Sequence, residues 1–359
     1  MSDDATPAEA DRRPVAWGIV GTGGIASRFA ADLAHAPGAR LAAVHARDAV
    51  KTGAFAGRTF GTPQAYGELA GFLTDPIVEI VYVATPNQTH AALAMAALAA
   101  GKAVLIEKPL ATSTADAEAI ERAAVASGRF AMEAMWSRFL PAVEAACSMV
   151  ADGAIGSVRR ITADLSYRRD ESADRRLFDP AQGGGAALDL GVYPVSLAIR
   201  LLGKPAAVEG RWWAAASGVD LRTELTLHYD GAVAQLSAGF DRDGDNSFVI
   251  EGSEGALRLD APFLKARHLT LYRGGAARSA IFGPQRVPGP LGKAVDRLPF
   301  PGRRRLAFPF PGSGLQFEAV AAMDAVRRGE GGSPAMPLGE SREVLAAMEA
   351  VLRTPPQGR

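Results

Sequence analysis

The sequence predicts an α/β N-terminal domain built on a parallel sheet, followed by an α+β C-terminal domain with an open, mainly antiparallel sheet. Three observations predict it. A Gly-x-Gly-x-x-Ala run, Gly21-Thr22-Gly23-Gly24-Ile25-Ala26, stands between an apolar strand-like segment and a helical pattern. Short apolar runs then alternate with helical stretches through the first third of the chain, the signature of parallel strands joined by right-handed crossovers. Beyond about residue 155 the helical period gives way to runs of alternating apolar and polar residues, the signature of strands buried on one face.

The first strand is Val15-Ala16-Trp17-Gly18-Ile19-Val20, and Ile25, Phe29 and Leu33 mark the helix that follows the glycines. Gly21 permits a tight turn, Gly23 lets the backbone approach a pyrophosphate, and the small Ala26 lets the helix pack on the strand, as in the Rossmann dinucleotide fingerprint. The helix start offers free N–H groups and the positive end of its dipole to phosphate oxygens. With 39 glycines in the chain, such a triplet alone is weak. Its position between strand and helix gives it weight.

A second strand over 41–47 should end beside the adenosine ribose. An acid there favours NAD, whereas an Arg pairs with the 2′-phosphate of NADP. The residue is Arg47, with Lys51 one turn on and Asp48 adjoining. NADP is therefore the expected cofactor, with NAD as the alternative, and a solvated surface arginine is the bland reading of the same residue. A helix near 51–60, a strand at 80–84, a helix at 88–100, a strand at 103–106, a helix at 114–127 and a short strand at 130–133 complete this part. The ligand belongs at the strands' carboxyl ends, with Gly21, Arg47, Thr85 and Lys108.

Alternating runs at 158–167, 208–215, 223–229, 232–240, 247–251 and 256–259 build the second sheet, and Tyr229-Asp230-Gly231-Ala232 is a hairpin turn. Residues 274–314, rich in Gly, Pro and Arg, read as a long loop. Two amphipathic helices close the chain at 315–328 and 341–353, the second with Ser341 as its N-cap. The domains are expected at 14–136 and 137–359, after a disordered tail over 1–13, with the terminal helices packing back on the first domain.

Equal numbers of basic and acidic residues, 39 each, argue against a nucleic-acid or anionic-membrane partner. Cys147, the only cysteine, lies in an apolar helical stretch and reads as a small buried hydrophobe. Arg12-Arg13 precedes the nucleotide-binding strand rather than an apolar export segment. The most apolar stretch, 91–106, is broken by Gly101 and Lys102 and is too short to span a bilayer, so a cytoplasmic protein is expected.

Two clusters carry chemistry. Glu107-Lys108-Pro109 ends a strand and would place an ammonium beside a bound nicotinamide. Gly183-Gly184-Gly185-Ala186-Ala187-Leu188-Asp189-Leu190-Gly191-Val192-Tyr193 leads into a buried helix ended by Gly203. Asp189 and Tyr193 share a face if that helix extends back far enough. A phenol beside an ammonium suits alcohol oxidation, because the cation favours the phenolate. A buried tyrosine satisfied by a neighbouring aspartate fits the spacing equally well.

Together these clusters, with Ala84-Thr85-Pro86-Asn87-Gln88-Thr89-His90 and, more weakly, residues 333–338, strongly resemble the glucose–fructose oxidoreductase/inositol dehydrogenase superfamily over about residues 14–354. Tyr at position 193, with residues 132–139 and Phe178-Asp179-Pro180, is most similar to the branch of dimeric dihydrodiol dehydrogenase and NADP-dependent xylose or glucose dehydrogenases. The resemblance implies proton transfer by Lys108 and Tyr193, with Asp189 orienting the substrate or the lysine, and a cis Lys108–Pro109 bond. It also implies cofactor contacts from Thr85, Pro86, Asn87, His90 and Glu107, a substrate pocket lined by Trp136 and Tyr167, and a homodimer. His90, with no second ligand at metal spacing, gives no case for zinc. Ala46 replaces the Ser of many NADP-binding relatives, which leaves more of the preference to Arg47. The expected function is NADP(H)-preferring hydride transfer on a hydroxyl-bearing carbon of a sugar, polyol or cyclic trans-diol. A catalytically silent dinucleotide sensor, or a redox-assisted lyase or glycosidase with retained cofactor, stands as the alternative.

Overall fold

A computed structural model describes residues 13–274 and 302–358. The chain divides into two compact units. Among the described residues, the first comprises 13–110, Asp116–Ala134 and Pro311–Leu338, and the second Ala111–Ala115, 135–274, 302–310 and 339–358.

In the first unit, strands β1 (Val15–Val20), β2 (Ala39–His45), β3 (Gln64–Tyr66), β4 (Ile80–Val83), β5 (Ala103–Glu107) and β6 (Ala131–Ala134) form one sheet in the order β3-β2-β1-β4-β5-β6. Every pairing is parallel. All residues of β1, β4 and β5 are buried, which is why they read as continuous apolar runs rather than alternating ones. Helices α1 (Gly24–Asp32), α2 (Ala49–Arg58), α3 (Leu69–Thr74), α4 (His90–Ala99) and α5 (Thr114–Ser127) alternate with the strands. Trp17, Phe29 and Tyr82 make an aromatic wedge between β1, α1 and β4, with Phe29 stacked on Tyr82 at 3.8 Å between centroids. That stack adds about 0.5–1.5 kcal/mol beyond area burial.

Several expectations shift here. β2 stops at His45, so Arg47 lies beyond the strand; Asp48 then caps α2 by accepting the Lys51 N–H at 3.0 Å. β3 and α3 were not anticipated, being three and six residues long, too short for a period to register. Arg13, assigned to the tail, bonds Glu79 at 2.7 Å, while residues 1–12 lie outside the described residues. Of the two terminal helices only α8 (Leu315–Arg327) belongs to this unit. Asp32 of α1 fixes it, accepting the N–H groups of Ser313 (2.9 Å) and Leu315 (3.0 Å) at its start.

The second unit holds helices α6 (Pro141–Ala151) and α7 (Val192–Leu202), and strands β7 (Val158–Ser166), β8 (Ala207–Ala214), β9 (Asp220–Tyr229), β10 (Ala232–Gly239), β11 (Phe248–Gly252), β12 (Gly255–Leu259), β13 (His268–Arg273) and β14 (Arg303–Ala307). They form a sheet in the order β14-β13-β12-β11-β7-β10-β9-β8. Only β7 and β10 pair in parallel, so the sheet is mixed and mainly antiparallel. Ile161, Ala163, Leu165, Leu225, Leu227, Ala234, Leu236 and Ala238 are buried on one face, with polar residues alternating on the other; α7 packs against β7 and β10, and α6 against β12 and β13. α9 (Leu338–Leu352) closes the chain.

Ser341 does not cap that last helix. α9 begins three residues earlier, and Ser341 is buried within it. The expected 274–314 loop contains β14, an edge strand whose Arg303-Arg304-Arg305 hides any alternation; residues 275–301 lie outside the described residues. Among the described residues one helical run, Pro180–Leu202, is long and apolar enough to cross a membrane by length and composition, and 72% of its most apolar part is buried inside the protein. Cys147 is half-buried rather than fully buried, and burial pushes its thiol up, away from nucleophilic thiolate character.

Glu318 of α8 is fully buried in the first unit with neither carboxyl oxygen hydrogen-bonded among the described residues. Burial, then the neighbouring Glu107, Glu133 and Asp32, raises its carboxyl well above the ordinary value of 4.5. A raised folded-state value means that the folded chain binds the extra proton, so stability is lost as pH rises above the unfolded value, at about 1.4 kcal/mol per pH unit per group. Glu318→Met is expected to be more stable than wild type at about pH 8, with the difference shrinking toward about pH 5. Urea unfolding across that range checks this, and a pH-independent difference would count against it.

Candidate active site

The edge of the first sheet carries the first cluster of candidate residues. β1 ends at Val20 and Gly21 turns the chain at φ +117°, where an added Cβ would lie 2.3 Å from the Ala84 carbonyl oxygen and 3.5 Å from Thr85 Cγ2. Only glycine fits. The turn is tied to β2 by the Gly21 N–H donating to His45 O at 2.8 Å. α1 then starts with no side-chain cap and no acid in its first turn, and Cβ atoms at Gly23 and Gly24 would meet nothing within 4 Å. Uncapped N–H groups at an open, glycine-lined helix start fit a dinucleotide pyrophosphate. Thr22 and Ile25 are half-buried beside this cradle, and Ala26, fully buried, is the small residue that packs α1 down.

Arg47 is exposed past the end of β2. Its acidic neighbour is engaged locally: Asp48 accepts the Lys51 N–H and lies 3.6 Å from the Lys51 ammonium, and these contacts hold its carboxyl below the ordinary range.

After β4, Thr85 and Pro86 are half-buried and Asn87 is buried in a 3-10 turn, Asn87–Thr89. His90 is fully buried, with Nδ1 2.8 Å from Pro109 O and Nε2 2.9 Å from Thr85 O. It therefore braces the Thr85 loop against the segment after β5, where the Lys108–Pro109 peptide is cis. Glu107 also works inward. Tyr82 donates its hydroxyl to Oε1, and the Lys108 N–H donates to Oε2 at 3.0 Å. Burial pushes this carboxyl up to about 7, against the lowering effect of Tyr82 and Lys108. The Lys108 side chain itself is half-buried.

The second unit carries a second cluster. The helix does extend back from Tyr193 to Asp189, but through a π-helical turn, Ala187–Gly191, that runs into α7. Such turns are rare and cluster at functional sites. Asp189 is half-buried and Tyr193 buried. The Trp136 indole N–H donates to the Tyr193 hydroxyl oxygen at 3.0 Å, with the two rings edge to face at 6.4 Å. Tyr167, just after β7, is half-buried; Arg169 lies over its ring at 5.7 Å, and burial raises its phenol.

Arg138 had no role assigned from sequence. It is 1% exposed, donates from Nε to Ser196 Oγ at 2.7 Å and from Nη2 to Ser196 O, and pairs through Nη1 with Glu340. It thereby locks the 3-10 turn Trp136–Phe139 to α7 and fixes Trp136 against Tyr193. A charged residue between Trp136 and Phe139 was the available signal. The structure thus gathers Gly21, Thr85 and the helix start on the first unit, with Lys108 at the end of β5, and gathers Trp136, Asp189 and Tyr193 on the second.

Residues 15–135 match the model described as "Oxidoreductase family, NAD-binding Rossmann fold", and residues 143–258 match the GFO/IDH/MocA C-terminal domain. The chain belongs to the GFO/IDH/MocA oxidoreductase family. Like the family, it is an NAD(P)-dependent oxidoreductase. Trans-1,2-dihydrobenzene-1,2-diol dehydrogenase of Macaca fuscata fuscata is 32% identical over 342 residues, 94% of this chain and 96% of that protein. D-xylose 1-dehydrogenase (NADP(+)) 2 of Haloferax volcanii is 33% identical over 274 residues, 75% and 84% of the two chains. Among solved structures, the aldose-aldose oxidoreductase of Caulobacter crescentus superposes with a TM-score of 0.80 over 95% of this chain and 97% of its own, at 24% identity, which shows the shared fold.

An N–H donated to a phenol oxygen stabilises negative charge there, by about 1 kcal/mol for an ordinary hydrogen bond. Trp136→Phe keeps the ring and removes the donor. It is expected to lower kcat about fivefold while leaving the cofactor Kd unchanged, since the cradle lies on the other unit. Steady-state kinetics beside a cofactor titration measure both, and an unaltered kcat would detach the indole from the chemistry.

Proposed function

We propose that this family member transfers hydride between NADP(H) and a hydroxyl-bearing carbon of a sugar, polyol or cyclic trans-diol. The hydrogen bond from Trp136 to Tyr193 carries the reading, because it holds a buried phenol with its oxygen as acceptor, the arrangement that suits proton uptake from an alcohol. Relatives named for a dihydrodiol and for D-xylose support the substrate class.

Bound nicotinamide supplies the hydride-accepting ring. In the oxidative direction Tyr193 takes the proton of the substrate hydroxyl at its Oη as the carbinol carbon becomes a carbonyl. Lys108 supplies the cation that favours the phenolate form of Tyr193, and Asp189 orients the substrate. In reduction the same phenol returns the proton. If Lys108 and Tyr193 act as this pair, Lys108→Ala and Tyr193→Phe should each slow the chemical step by about 100-fold or more, and the double variant should lose far less than the product of the two. Cofactor binding should survive Tyr193→Phe. Single-turnover kinetics with a panel of aldoses, inositols and dihydrodiols tests this, and near-normal turnover by Tyr193→Phe removes the phenol from the mechanism.

For the cofactor, the exposed Arg47 is free of the strand while Asp48 is spent on the α2 cap, which supports recognition of a 2′-phosphate. The xylose-dehydrogenase relative is itself named for NADP(+). Wild type is expected to bind NADP at least about tenfold more tightly than NAD, and Arg47→Ala to abolish most of that ratio by weakening NADP alone. Equal dissociation constants in wild type would end this assignment.

A further inference from the structure

Asp220, the first residue of β9, is 4% exposed and has no part in the chemistry proposed above. Its Oδ2 accepts the Ala187 N–H at 2.6 Å and the Thr223 hydroxyl at 2.9 Å, and Thr223 is itself fully buried. Ala187 opens the π-helical turn that carries Asp189 and continues into α7 at Tyr193. The chain reaches this point through Gly185 at φ +117°, where an added Cβ would lie 2.1 Å from Asp220 Oδ1. The carboxylate is thus pressed against the start of the helix, close enough to exclude any side chain at 185. No residue within the helical segment supplies a side-chain cap.

We propose that Asp220 is a positioning residue of the active site: its carboxylate caps the helical run that begins at Ala187, and so sets where Asp189 and Tyr193 stand. A helix start leaves backbone N–H groups without intrahelical partners, and a buried anion there satisfies them and favours the dipole. The cap is more demanding than usual because the first turn is π-helical, a geometry that persists only where its surroundings hold it. A loosened cap lets that turn relax toward ordinary α geometry, which rotates Asp189 relative to Tyr193. The proposal rests on the reading of Tyr193 as the proton acceptor.

The charge state of the cap follows from its surroundings. Burial pushes the Asp220 carboxyl up to about 7, opposed in turn by the Ala187 N–H, the Thr223 hydroxyl and the N–H groups of Asp220 and Ala186. Of the charged groups on neighbouring elements, Arg222 of β9 lies 3.4 Å from Asp241 and 3.6 Å from Glu224, and Arg211 of β8 pairs with Glu224 at 2.7 Å. Glu209 of β8 lies 3.4 Å from His228. β10 carries no titratable side chain, and the helical run carries Asp189, Tyr193 and, in its last turn, Arg200, which pairs with Glu144 at 2.7 Å.

The test compares kcat against pH for the full chain with its cofactor as wild type, Asp220→Asn, Thr223→Val and Tyr193→Phe. Asp220→Asn is expected to lower kcat about tenfold at alkaline pH, to keep the cofactor Kd within about twofold, and to lack the acid limb that protonation of Asp220 gives the wild type. Thr223→Val removes a bond that holds the Asp220 carboxyl down, so its acid limb should move to higher pH. A cap that served stability alone would lower the unfolding midpoint and leave the limb where it is. Wild-type kcat and an unmoved limb in Asp220→Asn, with Tyr193→Phe slowed about 100-fold, overturn the positioning role and spare the function. Wild-type turnover by Tyr193→Phe overturns the reading of Tyr193, and this proposal with it. Should Asp220→Asn fail to fold, the limb of Thr223→Val decides: displaced supports the role, unmoved overturns it.

Discussion

The parallel register of β1, β4 and β5 is the constraint on which the first unit depends. Val20 pairs with Val83, and Val83 with Ile106, so the three strands run out along one edge of the sheet. Gly21, Thr85 and Lys108 follow at once. The order β3-β2-β1-β4-β5-β6 reverses between β1 and β4, and a sheet of this kind binds ligands where its order reverses. The close approach of Gly21 to the Ala84 carbonyl is therefore a consequence of strand pairing before it is a feature of the cradle. Full burial of these strands demands apolar residues throughout, and the exceptions, Tyr82 and Glu107, satisfy each other by a hydrogen bond.

The second unit solves a different problem, that of holding an irregular helix start against an open sheet. Arg138 takes one side of it. A guanidinium 1% exposed is costly to bury, and the cost is offset only because several donors are used at once, on Ser196 Oγ, Ser196 O and Glu340. What the arrangement yields is a fixed geometry between the Trp136 turn and α7. An apolar contact of the same area would tolerate sliding; a forked set of hydrogen bonds does not.

How much of this was legible in the sequence depended on whether a signal was local. β1, β4 and β5 could be read from unbroken apolar runs, and β7, β9 and β10 from alternation joined by Asp230-Gly231, with Gly231 at φ +72° as a hairpin needs. β13 was missed because Leu269, Thr270 and Leu271 are all buried, which erases the alternation. β14 was missed because its edge is armoured with arginine. Ser341 misled because a capping residue type sits inside a helix that starts three residues before it. In the site, Gly21 and Lys108 were legible because their roles attach to short motifs on single elements. Arg138, Glu318 and Asp220 were not, since a charged residue in an otherwise ordinary helix or strand declares its role only when the fold buries it.

The two units, though differently built, use one physical device. Glu107 is a buried carboxyl whose Oε2 accepts the backbone N–H of Lys108, and Asp220 is a buried carboxyl whose Oδ2 accepts the backbone N–H at the start of the run bearing Tyr193. In each case a neighbouring hydroxyl, Tyr82 or Thr223, fixes the carboxyl from another direction. Burial raises both toward about 7, a bias against the charged form that an exposed carboxylate would not bear. The gain is directional. A carboxylate excluded from water has few alternative partners, so its bond to the backbone is strong and singly oriented, whereas an exposed one exchanges freely with solvent. Backbone atoms beside a reactive side chain are thereby fixed by groups that never meet the substrate, and those groups are found by tracing buried charge rather than by reading motifs.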